Sequence, residues 1–221
     1  MSEDRASVRE RYLAVDTTIV GDILDSLGYP DQGLSSEFDS VVGERLAGFA
    51  YTIIGQMAPY SGGGDPMKMK ACEGVSSSEV AVWSGDGEGV CYFGELIALG
   101  MMERGCEGAL VDGGVRDTRW LRLHGFSTFA RYRTPIQSIG RWRVTAFQEP
   151  AYVAGATTST VTVNPGDFIL GDDDGALVIP ADLVTTVLSD AEKMTETEAK
   201  VREALRTGMS LSECLEKFGH V

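Results

Sequence analysis

Histidine is nearly absent from this 221-residue chain, with only His124 and His220, and lysine is scarce, with five among 19 cationic side chains. Three nitrogen or sulfur ligands for a catalytic zinc are therefore hard to assemble. The four cysteines, Cys72, Cys91, Cys106 and Cys214, form no CxxC pair and read as reduced thiols. No apolar run approaches the roughly 20 residues of a membrane-spanning helix. The opening stretch MSEDRASVRERYLAVD is charged where a secretory signal carries an apolar segment, so a cytoplasmic location is expected. Neither a low-complexity tract nor an internal repeat is visible. Together with 43% hydrophobic and 24% charged residues, this points to one globular domain over residues 1–221, able to bury a core without cross-links.

Acids outnumber bases to give a net charge of −14, which repels nucleic acid and anionic membranes at long range. One segment runs the other way. Arg116, Arg119, Arg122, Arg131, Arg133, Arg141 and Arg143 fall between residues 116 and 143 with Asp117 the only acid among them. They read either as salt-bridged surface or interface arginines or as a local anion site, because the guanidinium fork matches a carboxylate.

Apolar spacing and stop residues predict a helix from Asp16 to Leu27, ended by Gly28 and Pro30, and a buried strand over 46–54. SGGGDP at 61–66 reads as a turn or a loop over a site, 67–74 as a short helix, 79–83 as a strand and SGDGEG at 84–89 as a turn. A helix from Gly94 to Arg104, a strand over 108–113 and a second helix from near Arg116 to Gly125 form the most regular unit. Short strands follow near 128–132, 151–154, 160–163, 167–171 and 175–179. After Pro180 comes a long acidic helix, then a last one at 210–218. There are too few strand–helix units for an eight-fold barrel.

Three glycine- and acid-rich segments sit at element ends. VDGGVRD at 111–117 delivers Arg116 and Asp117 to the start of a helix, where they would diverge by about 100°. Asp117 reads either as that helix's cap or as a cleft residue. Gly94 and Glu95 open another helix, whose free N–H groups at Glu95, Leu96 and Ile97 suit a carboxylate or plain capping. GDDDG at 171–175 reads as a tight hairpin or a cation site. Lys68 and Lys70 are expected on a surface segment and Lys193, Lys200 and Lys217 on acidic helices, which argues against a Schiff-base lysine.

The combination of GELIALGMMERGCEGALVDGGVRD, FARYRTP and VNPGDFILGDDDGALVIP, with the earlier TTIVGDILDSLG, resembles the RraA-like family. That family holds 4-hydroxy-4-methyl-2-oxoglutarate aldolases and RraA regulators of ribonuclease E. The resemblance, from about residue 13 to about residue 219, implies a compact α/β fold of the swivelling β/β/α kind with a long C-terminal helix. Residues 1–12 would be an N-terminal extension and 181–221 a helical segment reaching a neighbouring subunit. A homotrimer or homohexamer with active sites between subunits is implied.

In the aldolase branch, resemblance assigns Mg²⁺ or Mn²⁺ to Asp117 and the keto oxygen of pyruvate to Arg116. Glu95 would hold metal-bound water. The amides of Leu96 and Ile97, beside Gly94, would receive the pyruvate carboxylate. A glutamate from the adjacent C-terminal helix, placed at Glu198 with Glu192 and Glu196 as rivals, would complete the site. The implied activity is metal-dependent cleavage of a 4-hydroxy-2-oxo acid to pyruvate, with oxaloacetate decarboxylation alongside. The alternatives are a non-enzymatic regulator that binds a ribonuclease, or a related lyase or hydratase on a sugar-derived keto acid. Regulators of that kind typically lack the metal-binding Asp, whereas Asp117 is present. Arg119, Arg131, Arg133 and Arg141 are candidates for a distal substrate carboxylate, with Arg141 and Arg143 as readily structural.

Overall fold

The computed structural model describes residues 4–221, so residues 1–3 of the expected N-terminal extension lie outside the described residues. In chain order the elements are α1 (Arg5–Tyr12), α2 (Thr17–Ser26), β1 (Asp39–Val42), β2 (Leu46–Met57), α3 (Pro66–Glu73), β3 (Glu79–Ser84), β4 (Cys91–Phe93), α4 (Glu95–Met102) and β5 (Cys106–Val115). They continue with α5 (Thr118–His124), β6 (Ser127–Arg133), β7 (Trp142–Phe147), β8 (Ala151–Ala154), β9 (Thr160–Val163), β10 (Phe168–Asp172), β11 (Gly175–Ile179), α6 (Val184–Arg206) and α7 (Leu211–Phe218).

Strands β2, β3, β5 and β6 lie parallel in adjacent positions, joined by crossovers that carry α3, α4 and α5. Antiparallel strands extend this centre: β10 and β7 on β2, β1 on β6 and β11 on β10. Short β4 runs parallel to the end of β5, and β8–β9 form a separate hairpin. The result is a mixed α/β fold with a nine-stranded sheet and a long C-terminal helix.

Both faces of the centre are covered, which is why β3 is buried at every residue. Tyr51, Ile53, Ala81, Trp83 and Val111 meet Ala71, Ala98, Met101 and Leu121 of the crossover helices. The alternating set, Ala50, Val80, Val82 and Leu110, meets Val153, Val161 and Val163 of the hairpin. A third cluster lies under α1, α2 and α6. There Tyr12 stacks on Phe168 with ring centroids 4.3 Å apart and donates its hydroxyl to Val184 O at 2.7 Å. The segment expected as an extension is thus a packed helix from Arg5 onward.

Three strands were not legible as such. β7 alternates buried Trp142 and Val144 with exposed Arg143 and Thr145, a pattern obscured by its short length and by Arg143, while β1 and β4 are only four and three residues long. GDDDG is a hairpin turn: Asp172 opposes Gly175. The Asp172 carboxylate accepts from Thr17 N at 2.8 Å, Thr17 Oγ1 at 2.7 Å and Asp174 N at 3.0 Å, so it caps α2 from across the fold. Asp16, which immediately precedes α2, makes no capping bond with its side chain and pairs with Arg45 at 3.3 Å. The GDGEG turn after β3 runs into a strand and not a helix, so it lacks the strand–loop–helix context of a dinucleotide site.

Candidate active site

Strand β5 leaves the sheet through Gly113, where a Cβ would lie 2.4 Å from the Tyr92 ring; only glycine lets the strand pass beneath it. The chain then turns sharply. Asp117 adopts φ 58° and ψ 30°, a left-handed conformation that Asp tolerates better than most side chains. Such strain clusters at functional sites. The expected divergence of Arg116 and Asp117 on a helix is corrected here: α5 starts only at Thr118, and both residues precede it. The left-handed turn brings Arg116 Nε to 3.4 Å from Asp117 Oδ2. Nor does Asp117 cap its own helix with its side chain; its Oδ2 accepts instead from Glu95 N, 3.2 Å away at the start of α4.

That contact requires Gly94 to come close. A Cβ there would lie 2.3 Å from Asp117 Oδ2 and 2.9 Å from Arg116 Cγ, so the absence of a side chain, not an unusual φ, is what the position demands. Beyond Glu95, the N–H groups of Leu96 and Ile97 lie in the first turn, before any intrahelical acceptor; Ala98 N is the first to reach one, Gly94 O at 3.1 Å. Two amides, a carboxylate and a guanidinium therefore converge. Glu95 turns its side chain to His124 Nε2 at 3.1 Å. This pairing was not read from the sequence because His124 belongs to α5, 29 residues away.

Gly94→Ala is expected to push the Asp117 carboxylate away from Glu95 N and, by removing the acceptor at the start of α4, to cost about 1 kcal/mol of stability. The measurement is a melting curve of the variant beside the parent. A variant that melts with the parent would show that the Asp117–Glu95 contact is dispensable to the fold.

Arg116 separates two depressions. Inward lies a cavity of about 140 Å³ whose walls include Lys68, Phe93, Gly94, Ile97 and Ser138. Outward lies an open one of about 380 Å³ lined by Asp117, Thr118, Arg133 and Pro135. Arg116 Nε is itself buried without a hydrogen-bond partner among the described residues. The expectation of a surface Lys68 is overturned: its relative exposure is 6%, whereas Lys70 is exposed. The signal was present in the sequence. Lys68 stands three and four residues before Ala71 and Cys72, on the stripe that α3 buries.

The other arginines divide. Arg131 pairs with Asp112 at 3.2 Å and Glu37 at 2.7 Å, which makes it structural. Arg119 lies over the ring of Trp120 at 5.6 Å, and Arg141 donates to Gln137 O at 3.3 Å. Of these candidates Arg133 alone lines a depression next to Asp117. Arg131→Ala should cost stability, about 1–3 kcal/mol, because Asp112 is left buried with only Ala154 N as a donor. Burial is already the largest influence on the Asp112 carboxyl and raises its pKa; without Arg131 only the Ala154 N–H bond still opposes it. The native state then holds the proton more tightly than the unfolded chain. The deficit is therefore full at neutral pH and shrinks as acid protonates Asp112, which melting curves of both proteins at the two pH extremes would show.

Within one chain the C-terminal acids lie apart from this site. Glu198 pairs with Arg202 and with His220 Nε2 at 3.3 Å. Glu192 is gripped by Arg11 through bonds of 2.7 and 2.6 Å, which hold its carboxyl below the usual range. Glu196 borders a groove between α6 and α7. Among the described residues no group of three His, Cys, Asp or Glu side chains is placed to hold a metal ion. Among them, too, no helix is long and apolar enough to cross a membrane.

The chain is similar over its full length to a Halalkalibacterium halodurans protein that bears the provisional name 4-hydroxy-4-methyl-2-oxoglutarate aldolase. Identity is 28% over 224 residues, covering 100% of this chain and 99% of that one. It is 27% identical over 220 residues to protein DlpA of Legionella pneumophila, but spans only 34% of that longer protein against 98% of itself. A solved structure of an uncharacterized protein from Pseudomonas syringae pv. tomato superposes with a TM-score of 0.83 at 28% identity, over 96% of this chain and 94% of that one. The RraA-like profile, described as Aldolase/RraA, matches residues 17–178, which include Gly94, Glu95, Arg116 and Asp117; the chain belongs to the RraA-like family.

Proposed function

We propose that this protein is a divalent-cation-dependent carbon–carbon lyase. It cleaves a 4-hydroxy-2-oxo acid of the 4-hydroxy-4-methyl-2-oxoglutarate kind to pyruvate and decarboxylates oxaloacetate through the same enolate. The observation that carries this is the meeting of Arg116 and Asp117 with the open N-terminus of α4, where Asp117 Oδ2 accepts from Glu95 N at 3.2 Å.

Breaking the bond next to a 2-oxo acid leaves negative charge on the former keto oxygen, beside a carboxylate that is charged throughout. The N–H groups of Leu96 and Ile97 take the carboxylate, aided by the positive end of the helix. Arg116 faces the developing oxyanion with a fixed positive charge that needs no reorganisation during the reaction. The donor set fits a hard cation: Asp117 Oδ1 accepts no hydrogen bond among the described residues, and a lone direct carboxylate suits Mg²⁺ or Mn²⁺, which retain water. Asp117 would hold that cation, which supplies Lewis-acid stabilisation of the enolate. Glu95, whose side chain meets His124 Nε2 at 3.1 Å, would hold the proton that the substrate hydroxyl loses and the pyruvate methyl carbon gains.

Leu96 on α4 and Trp120 and Leu123 on α5 are large apolar side chains with relative exposures of 78%, 50% and 65%. Exposed apolar side chains on the two helices that follow the site residues support assembly as a trimer or hexamer, with an acid of α6 supplied across the interface. A regulator acting only by protein contact would need neither the Asp117–Glu95 contact nor an Arg116 Nε buried without a hydrogen bond.

Exchange of the pyruvate methyl protons for deuterium, followed by NMR with Mg²⁺ and with EDTA, tests the enolate step in isolation. Metal-dependent exchange is expected; none from folded, Mg²⁺-loaded protein would overturn the proposal.

A further inference from the structure

We infer that Lys68 and Arg116 form a second carboxylate subsite, one that takes the far carboxylate of a dianionic 2-oxo acid and makes Lys68 the residue that selects dicarboxylates. The reaction it would serve rests on the lyase proposal, whereas the binding chemistry does not.

Lys68 is a buried cation whose partners are all neutral. Its Nζ donates to Tyr92 O and to Ser138 Oγ, each at 2.8 Å, and lies 5.1 Å from the centre of the Trp142 ring. An ammonium has three donors, so one is left over. Asp65, the nearby acid, is already committed: Oδ1 accepts from Lys68 N at 3.1 Å and Oδ2 from Val144 N at 2.8 Å. No ion pair joins Lys68 to any acid among the described residues. The neighbouring thiols do not serve as anions, since burial pushes Cys72 up to about 12 and raises Cys91 as well. Desolvation lowers the Lys68 pKa; Asp65 is the main opposing influence, and Arg116 adds a smaller lowering.

A buried charge normally has a partner. Here the missing partner has a place to sit: the cavity of about 140 Å³ has Lys68 and Arg116 in its walls. Two cations line it with a single acid, Asp65, both of whose oxygens already accept from backbone N–H groups; in a chain of net charge −14 this describes a hole for an anion. Gly94 and Ile97 belong to the same walls, so the cavity is continuous with the amides proposed for the first carboxylate. At this volume it admits a carboxylate on a short carbon chain, a few times the share of one water molecule, about 30 Å³ in the liquid. Met69, Phe93 and Ile139 add apolar walls beside the polar Gln137 and Ser138, which lowers the local dielectric and strengthens the charge contact inside.

The test compares 2-oxoglutarate with 2-oxopentanoate, which differ only in the far carboxylate, by calorimetric titration of the Mg²⁺-loaded protein. The parent should bind 2-oxoglutarate about 10- to 100-fold more tightly, as expected for a hydrogen bond to a charged group. Lys68→Gln keeps donors for Tyr92 O and Ser138 Oγ but loses the charge, so it should bind the two acids alike. A role limited to packing would leave the margin intact in that variant. Parent protein without a margin, or Lys68→Gln with one, overturns the subsite. So does a borohydride-reducible pyruvate adduct on Lys68, which would make it a Schiff-base nucleophile. Should Lys68→Gln fail to fold, amine labelling of the parent followed by mass spectrometry decides: 2-oxoglutarate must protect Lys68 and 2-oxopentanoate must not. Pyruvate methyl exchange on the same samples separates the two claims. A margin without exchange refutes the lyase alone, and exchange without a margin refutes the subsite alone.

Discussion

Asp117→Asn is expected to abolish cation-stimulated pyruvate formation, with a loss of at least about a hundredfold, while the protein melts close to the parent. The size follows from the several kcal/mol a Lewis acid contributes to a developing oxyanion, at about 1.4 kcal/mol per tenfold in rate. The choice of Asn follows from the backbone. With φ at 58°, position 117 penalises most side chains, and Asn shares the tolerance of Asp for that region. Its amide oxygen can still accept from Glu95 N, so the start of α4 remains capped and only the negative charge is removed. Asp117→Ala would confound the result, because it adds left-handed strain to a lost cap worth about 1 kcal/mol. Cation titration by calorimetry is the companion measurement. Full activity and unaltered cation affinity in Asp117→Asn would reduce Asp117 to a capping residue.

Arg116→Ala should lower kcat by about a hundred- to a thousandfold, the loss of about 2.7–4 kcal/mol seen when one preorganised donor to an oxyanion is removed. The chain holds Arg116 in position from both sides, since its backbone N–H reaches Phe93 O at 3.4 Å and its side chain divides the two depressions. Because its Nε makes no hydrogen bond among the described residues, little native structure depends on it, and stability should change far less than turnover. Arg116→Lys is the informative companion, since a point charge without the planar fork should recover only part of the rate. Turnover within a few-fold of the parent in Arg116→Ala would remove the guanidinium from the mechanism.

Regular elements were readable where one local signal dominated. Apolar spacing with glycine stops marked α2, α4, β5 and α5 to within a few residues. The site pair was visible as RD after a glycine-ended strand, and so was its proximity to Gly94 and Glu95 through family resemblance. Its geometry was not, because it joins a left-handed turn at Asp117 to a close approach of Gly94 from another element, and neither is written in the local spacing. Long-range pairings escaped for the same reason. Asp172 caps a helix 155 residues earlier, and Arg131 serves Asp112 and Glu37 instead of a substrate. Lys68 was misplaced because charge was weighed above position: its place on the apolar stripe of α3 outranks the usual exposure of lysine.

The most direct test of the account is pyruvate release from 4-hydroxy-4-methyl-2-oxoglutarate and from oxaloacetate, each with Mg²⁺ or Mn²⁺ and again with EDTA. Cation-dependent pyruvate from these substrates, lost in Asp117→Asn, is the predicted result. No pyruvate from either substrate by folded, cation-loaded protein, or pyruvate at an equal rate in EDTA, would contradict it.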